Sequence, residues 1–269
     1  AAIGDVYHGF TAGRGWGGHL HQLDFAFAGY QSYLHGRFSN LFNPWVEYLK
    51  LPRRFSMLDI EIFSDVICPW CFIGKQRLDS VLATAVGEGV RVRWRPYQLH
   101  PQIPVLGVDR VEYLERRYGP DADRGRMPAR IAQEAAAEGI ELRYDLIERT
   151  PNTLAAHRLM ELAWEKGCQH ELAGRLFAAY FCQGRDVGDA ATLVEIAVEA
   201  GMDGHVAREF LAGDGGLAEV QVQLERAVEV GVSGVPGYYL AEGFLLPGAQ
   251  AADTMGQIIS RVKTKMAGR

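Results

Sequence analysis

Cys68 and Cys71, three apart in SDVICPWCFIGKQRLD (residues 64–79), are the residues of this chain whose types and spacing point most directly to chemistry. Alternating apolar residues precede them and a helical pattern follows, so the pair falls at a strand-to-helix junction. There the first sulfur meets unpaired backbone N–H groups and the positive end of the helix dipole, both of which favour a thiolate. Thiolate is the nucleophile of thiol–disulfide exchange. Cys68 would attack a substrate disulfide, or be attacked once oxidised. Cys71, one turn further along and deeper, would resolve the mixed disulfide. A two-residue gap brings the sulfurs within bonding reach without unwinding the helix.

Two other uses compete. Zinc takes four N or S ligands, usually from two CxxC-like pairs or one such pair and spaced histidines. No histidine pair with that spacing follows residue 71, and Cys168 and Cys182 lie fourteen apart, so no metal is expected. Inert core thiols are the other reading, although Pro69 between the cysteines at a helix start favours a redox pair. If HELAGRLFAAYFC is one helix, Cys168 and Cys182 stand about 20 Å apart at 1.5 Å per residue. A disulfide needs Cα atoms within about 7 Å. These two are expected to be unbonded, reduced and mostly buried.

Composition narrows the class. The chain has 269 residues, 48% hydrophobic and 23% charged, with a net charge of −5. An acidic balance argues against a nucleic-acid partner, because phosphate binding needs clustered Lys and Arg. No apolar run approaches the roughly 20 residues that span a membrane, and the N-terminus lacks the pattern of a signal peptide. Four cysteines are too few for a disulfide scaffold. A soluble, cytoplasmic protein, monomer or dimer, is expected.

The elements that must position the cysteines begin at Met57. Residues 1–56 read differently: they hold twelve aromatic residues and four of the eight histidines, and carry a charge of +2. They show neither helical nor strand periodicity, which leaves an aromatic binding arm or a non-native extension. His8, His19, His21 and His35 share no helical face and are not expected to hold a metal. In MLDIEIF, Leu58, Ile60 and Ile62 alternate with Asp59 and Glu61, which predicts a strand. A helix should run from Pro69 to about Ala85, and VRVRWRPYQL alternates again. This is β-α-β, with parallel pairing. Residues 109–213 read as consecutive helices, most closing on a glycine. LAEVQVQLERAVEVG predicts a helix with Val220, Leu224, Ala227 and Val228 on one side, VPGYYLAEGFLL two short strands turning at Glu242-Gly243, and AQAADTMGQIISRVKTKM a final helix. The expected organisation is an α/β domain from 57–105 and 217–269 (βαβ … αββα) with a helical insertion at 106–216.

CPWC after LDIEIFSDVI, the helical insertion, and GVSGVPGYYL before two strands and a helix together resemble the thioredoxin fold of the DsbA family. The ordered set SDVICPWCFIGKQRLD, WRPYQLHP, NTLAAHRL, LFAAYFCQGRDVGD and GVSGVPGYYL is similar to the FrnE-like branch of that family, over residues 57–269. The resemblance implies thiol–disulfide oxidoreductase or isomerase activity without a bound cofactor, on thiol- or disulfide-containing substrates. It implies a cis bond between Val235 and Pro236, in a loop that presents substrate backbone beside Cys68, with Pro69 and Trp70 lining the groove. It also marks a departure. The acidic residue that thioredoxin and DsbA carry six before the first cysteine is Ile62 here, which leaves Asp65 and Glu61 as candidates for proton transfer with Cys71. With no histidine between the cysteines, a less oxidising couple than DsbA's is expected. The alternative is a glutathione-dependent isomerase or transferase, since kappa-class glutathione transferases and 2-hydroxychromene-2-carboxylate isomerases share this architecture. Glutathione would then be a co-substrate, with Gly248 and Gln250 placed to hold a carboxylate and His157 lining the cleft. Most such turns and helix histidines are only locally satisfied, and His100 is equally ambiguous.

Overall fold

The computed structural model describes residues 57–268, apart from 121, 122, 124, 126 and 242. The expectations for residues 1–56 and their histidines lie outside the described residues. β1 (Leu58–Ser64) and β2 (Val90–Pro96) flank α1 (Pro69–Leu82) and pair in parallel, Leu58 opposite Val90 through Ser64 opposite Pro96. After the helical segment, α8 (Leu217–Glu229) leads into β5 (Gly237–Leu240), β6 (Phe244–Pro247) and α9 (Ala252–Ala267). β5 lies antiparallel to β1 and β6 antiparallel to β5, giving one sheet in the order β2-β1-β5-β6. This is the βαβ … αββα order that the residue pattern predicts and the thioredoxin-like α/β fold that the resemblance implies.

The period-2 pattern of β1 becomes a division of labour between the two faces of the sheet. Leu58, Ile60 and Ile62 are fully buried and join the main core with α1, α9 and the insertion. On the other face Phe63 packs with Ala227 and Val232, while Glu61 bonds Arg95 and Arg226 Nη2, the latter at 2.6 Å. α8 departs from its expected face in one respect. Val220 and Ala227 are buried, but Val228 is 78% exposed and Gln223 takes the inner position. Gln223 is tolerated there because its amide accepts from Arg95 at 2.6 Å and donates to Glu161 at 2.7 Å.

The helical segment comprises α2 (Arg110–Tyr118), α3 (Ala129–Ala137), α4 (Leu154–Glu165), α5 (Gln169–Gln183), α6 (Ala190–Glu199) and α7 (Gly204–Ala212). It also holds a small ribbon that was not expected: β3 (Val108–Asp109) pairs antiparallel with β4 (Arg149–Thr150). Strands of two residues leave too little periodicity to read. Asp109 does cap α2, accepting the Glu112 N–H at 3.0 Å. α5 packs on the outer strand of the sheet, and Gln169 closes its free edge by accepting the Trp94 N–H at 2.8 Å and donating to the Trp94 carbonyl at 3.0 Å. An edge covered in this way is protected from further pairing.

α1 is buried on nearly every side, since the sheet, α5 and α9 all pack on it. Its charged residues are therefore paired. Lys75 bonds Asp79 at 2.6 Å, and Arg77 bonds Glu138 at 2.6 Å, Glu134, and the Ala249 carbonyl at 3.0 Å. Phe72 stacks on Phe177 and Phe181 of α5 with ring centroids 5.5 and 6.2 Å apart. These contacts fix the helix that carries the cysteines.

Candidate active site

Cys68 is the N-cap of α1 and Pro69 its first residue, where a missing N–H leaves nothing unsatisfied. Cys68 is 4% exposed and Cys71 wholly buried, and both are free thiols. The Cys71 N–H bonds the Cys68 carbonyl at 3.0 Å, so the two sit on one tight helical turn. Burial pushes the Cys71 thiol well above its ordinary range, and the neighbouring Cys68 adds to that; the Ser64 hydroxyl and the Asp65 main chain border the sulfur and oppose it. The inner thiol is thus held protonated until something removes its proton.

Opposite the helix start lies the loop before β5. Its Val235–Pro236 bond is cis, and the Cys68 thiol lies 3.7 Å from the Val235 carbonyl. The loop is braced by the turn after β6. The Gly248 N–H donates to the Pro236 carbonyl at 2.7 Å, and Gln250 donates to the Pro247 carbonyl at 2.6 Å. The Gly248 N–H is therefore used by the proline loop itself, whereas the Gln250 amide closes onto the end of β6. Gly74 is what lets α1 approach: a Cβ there would collide with the Tyr238 hydroxyl and lie 3.3 Å from Pro236 Cγ. Trp70 is half-buried on the outer side, with the Arg130 guanidinium 5.3 Å over its ring.

Behind the cysteines is a buried polar group. Asp65 is 0% exposed; it accepts the Leu99 N–H at 2.7 Å and faces His157 Nε2 at 3.5 Å. His157 is not satisfied within its own helix, as the sequence suggested. Its Nε2 lies 3.0 Å from the Tyr97 carbonyl, at the end of β2. Glu61, the other proton-transfer candidate, is committed to Arg95 and Arg226 on the opposite face of the sheet. His100 pairs with the Tyr113 hydroxyl at 3.0 Å. Tyr144, which sequence reasoning missed, stacks on Phe181 at 6.0 Å, and burial raises its phenol to about 12. Nothing near Tyr144 in the chain signals this burial, because its ring partners Phe181 and Arg110 come from other helices.

Residues 59–260 match the family of the DSBA-like thioredoxin domain. The chain belongs to that family. DsbA-like proteins are thiol–disulfide oxidoreductases, and their thioredoxin fold is the one described above. Among relatives, the uncharacterized protein YwbO of Bacillus subtilis (strain 168) is 28% identical over 208 residues, 77% of this chain and 98% of that protein. A structure from Streptomyces coelicolor, described as a "probable DsbA oxidoreductase", is 30% identical with a TM-score of 0.66, covering 76% of this chain and 89% of its own. The cytosolic disulfide reductase DsbM of Pseudomonas aeruginosa shares the fold at 15% identity and a TM-score of 0.54, over 78% of this chain and 97% of its own. In this chain the cysteine-bearing start of α1 faces the loop of the cis Val235–Pro236 bond. No helix among the described residues is long and apolar enough to cross a membrane.

Proposed function

We propose that Cys68 and Cys71 catalyse dithiol–disulfide exchange, reducing or isomerising disulfides of protein or small-molecule substrates. The observation that carries this reading is the Cys68 thiol at the start of α1, 3.7 Å from the Val235 carbonyl, with Cys71 buried one turn below. The Cys68 thiolate attacks one substrate sulfur and expels the other as a thiolate, which takes up a proton. Cys71 then loses its proton and attacks the Cys68 sulfur, and the second substrate sulfur leaves. Two electrons pass from the dithiol to the substrate, and the protein is left with a Cys68–Cys71 disulfide. The backbone of Val235 aligns an extended substrate beside Cys68 by main-chain pairing, and Pro69 and Trp70 form the rim.

Glutathione as co-substrate and a cytoplasmic setting belong to the same proposal. They are supported by a structure of DsbM with GSH, a protein of this fold named as a cytosolic reductase. The test is exchange with glutathione disulfide, followed by mass spectrometry of the quenched protein. The native chain should acquire the Cys68–Cys71 disulfide, and Cys68→Ser should not react at that site. Full exchange by Cys68→Ser would contradict the mechanism.

A further inference from the structure

The proposed resolving step leaves a proton to be placed. Cys71 is buried and its thiol is held protonated by that burial. Ile62, six before Cys68, is fully buried and apolar, so no carboxylate comes from that position. Asp65 brings a carboxylate to the turn before α1, three residues ahead of Cys68. Its main chain borders the Cys71 sulfur, and its carboxylate, buried with it, keeps one oxygen free of any hydrogen bond. That oxygen is the one facing His157 Nε2 at 3.5 Å. A buried carboxylate with an unmatched oxygen is costly unless its charge is used or balanced.

His157 can balance it. The Tyr97 carbonyl 3.0 Å from Nε2 can only accept, so Nε2 carries a hydrogen whether the ring is neutral or cationic. Nε2 therefore presents its hydrogen between the Tyr97 carbonyl and the Asp65 carboxylate oxygen 3.5 Å away. Two other titratable groups face Asp65. Tyr180 of α5, with Arg110 near it, has its phenol pushed up by burial. His100 of the loop after β2, with Arg117 near it, has its imidazole pushed down by burial. Neither is a ready proton acceptor near neutral pH.

We infer that the Asp65 carboxylate, positioned by His157, accepts the proton of Cys71 in the resolving step, in place of the acidic residue missing at position 62. As Cys71 attacks, its proton passes to the Asp65 carboxylate and the Cys71–Cys68 bond forms. The bond between Cys68 and the substrate breaks, and the substrate sulfur leaves with the electron pair. When the disulfide is reduced again, Asp65 returns the proton to Cys71. Asp65 is the acceptor; His157 is a positioning residue that acts through it. The inference rests on the dithiol reading above.

The test separates the two. Reduced protein is mixed with glutathione disulfide, acid-quenched at intervals, and the mixed disulfide and the internal disulfide are counted by mass from pH 6 to 9. If the native chain forms neither species, the dithiol reading fails before this one is reached. Given that it forms both, Asp65→Asn should resolve the mixed disulfide roughly 10²-fold more slowly at pH 7, the scale of a lost general base. Its rate should climb with pH toward the native rate. His157→Gln, which keeps a donor for the Tyr97 carbonyl, should slow resolution less and shift the pH profile. Native resolving rates and an unshifted profile in both folded variants would overturn the inference. If Asp65→Asn does not fold, an unshifted profile in His157→Gln overturns it alone.

Discussion

Two cysteines in this chain cap the N-terminus of a long helix: Cys68 caps α1 and Cys168 caps α5. The helix field is common to both, and their surroundings are not. After Cys68 come Pro69, Trp70 and a second thiol on the same turn, with the Val235 carbonyl 3.7 Å from the sulfur. After Cys168 comes Gln169, whose side chain is tied to the Trp94 backbone, and the Cys168 thiol turns back to the Ala163 carbonyl at 3.8 Å. Its nearest candidate partner in sequence, Cys182, stands near the far end of the same 15-residue helix. Burial raises both of these thiols above their ordinary range. On the proposed dithiol mechanism, a helix start is not sufficient for a redox centre. A second sulfur in reach and a loop that can present substrate make the difference. Cys168 and Cys182 are also only half-buried, less enclosed than expected.

The sharpest way to break the comparison is to exchange the cysteines. Cys68→Ser should bring disulfide exchange down to the uncatalysed level, and Cys71→Ser should stop at the mixed disulfide. Cys168→Ser and Cys182→Ser should each leave the exchange rate within twofold, roughly the difference expected from surface changes. Loss of exchange in Cys168→Ser would mean that the second helix start also takes part.

The next effect is on the seating of α1. Phe177 of α5 is 1% exposed, stacks on Phe72 and meets the Trp94 ring edge-on at 5.9 Å. Phe177→Ala should cost about 3–5 kcal/mol in urea unfolding, as large-to-small changes in a core do. Gly74→Ala works from the opposite side of the helix. Its new methyl must push α1 away from Tyr238 and Pro236, so a loss of about 1–3 kcal/mol is expected. Exchange should slow with it, because the Cys68–Val235 spacing opens. A Gly74→Ala protein as stable and as active as the native one would show that this close approach is not needed.

The smallest effect belongs to the opposite face of the sheet, away from the cysteines. Burial works against the charge of Glu61, but the hydrogen bonds and charges of Arg226 and Arg95 outweigh it and hold its carboxyl below the usual 4.5. A depressed carboxyl contributes stability that is complete above its unfolded value and is lost as pH falls through the folded one. Stability should therefore decline below about pH 4.5, and Glu61→Gln should flatten that decline in acid titrations followed by circular dichroism. An unchanged acid limb in the variant would remove Glu61 from the account.

Much of this architecture could be read from residue patterns because the elements are long enough to show a period. β1 alternates over its first five residues, and Asp109 or Gly184 mark helix ends by chemistry that is local. The cysteine pair was legible for the same reason. The ribbon of β3 and β4 was not, since its register of Val108 to Thr150 spans 42 residues with two residues per strand. The mate of Cys68 across the cleft, Val235, could be found only by likeness to a family, because Val-Pro in a glycine-rich loop has no distinctive pattern. His157 was judged on its own helix, whereas its partners, Tyr97 and Asp65, come from the end of β2 and the turn before α1. Gly74 gave no signal either: its need for a missing side chain arises from Tyr238, which follows 164 positions later.

The central claim is that Cys68 and Cys71 alone form the redox couple. The most direct measurement is the reduction potential of a chain carrying Cys168→Ser and Cys182→Ser, equilibrated in glutathione buffers and read by thiol trapping and mass. The account predicts one reversible two-electron transition, with a tenfold change in the ratio of forms for each step of about 30 mV. No transition, or one that appears only when Cys168 and Cys182 are restored, would contradict it.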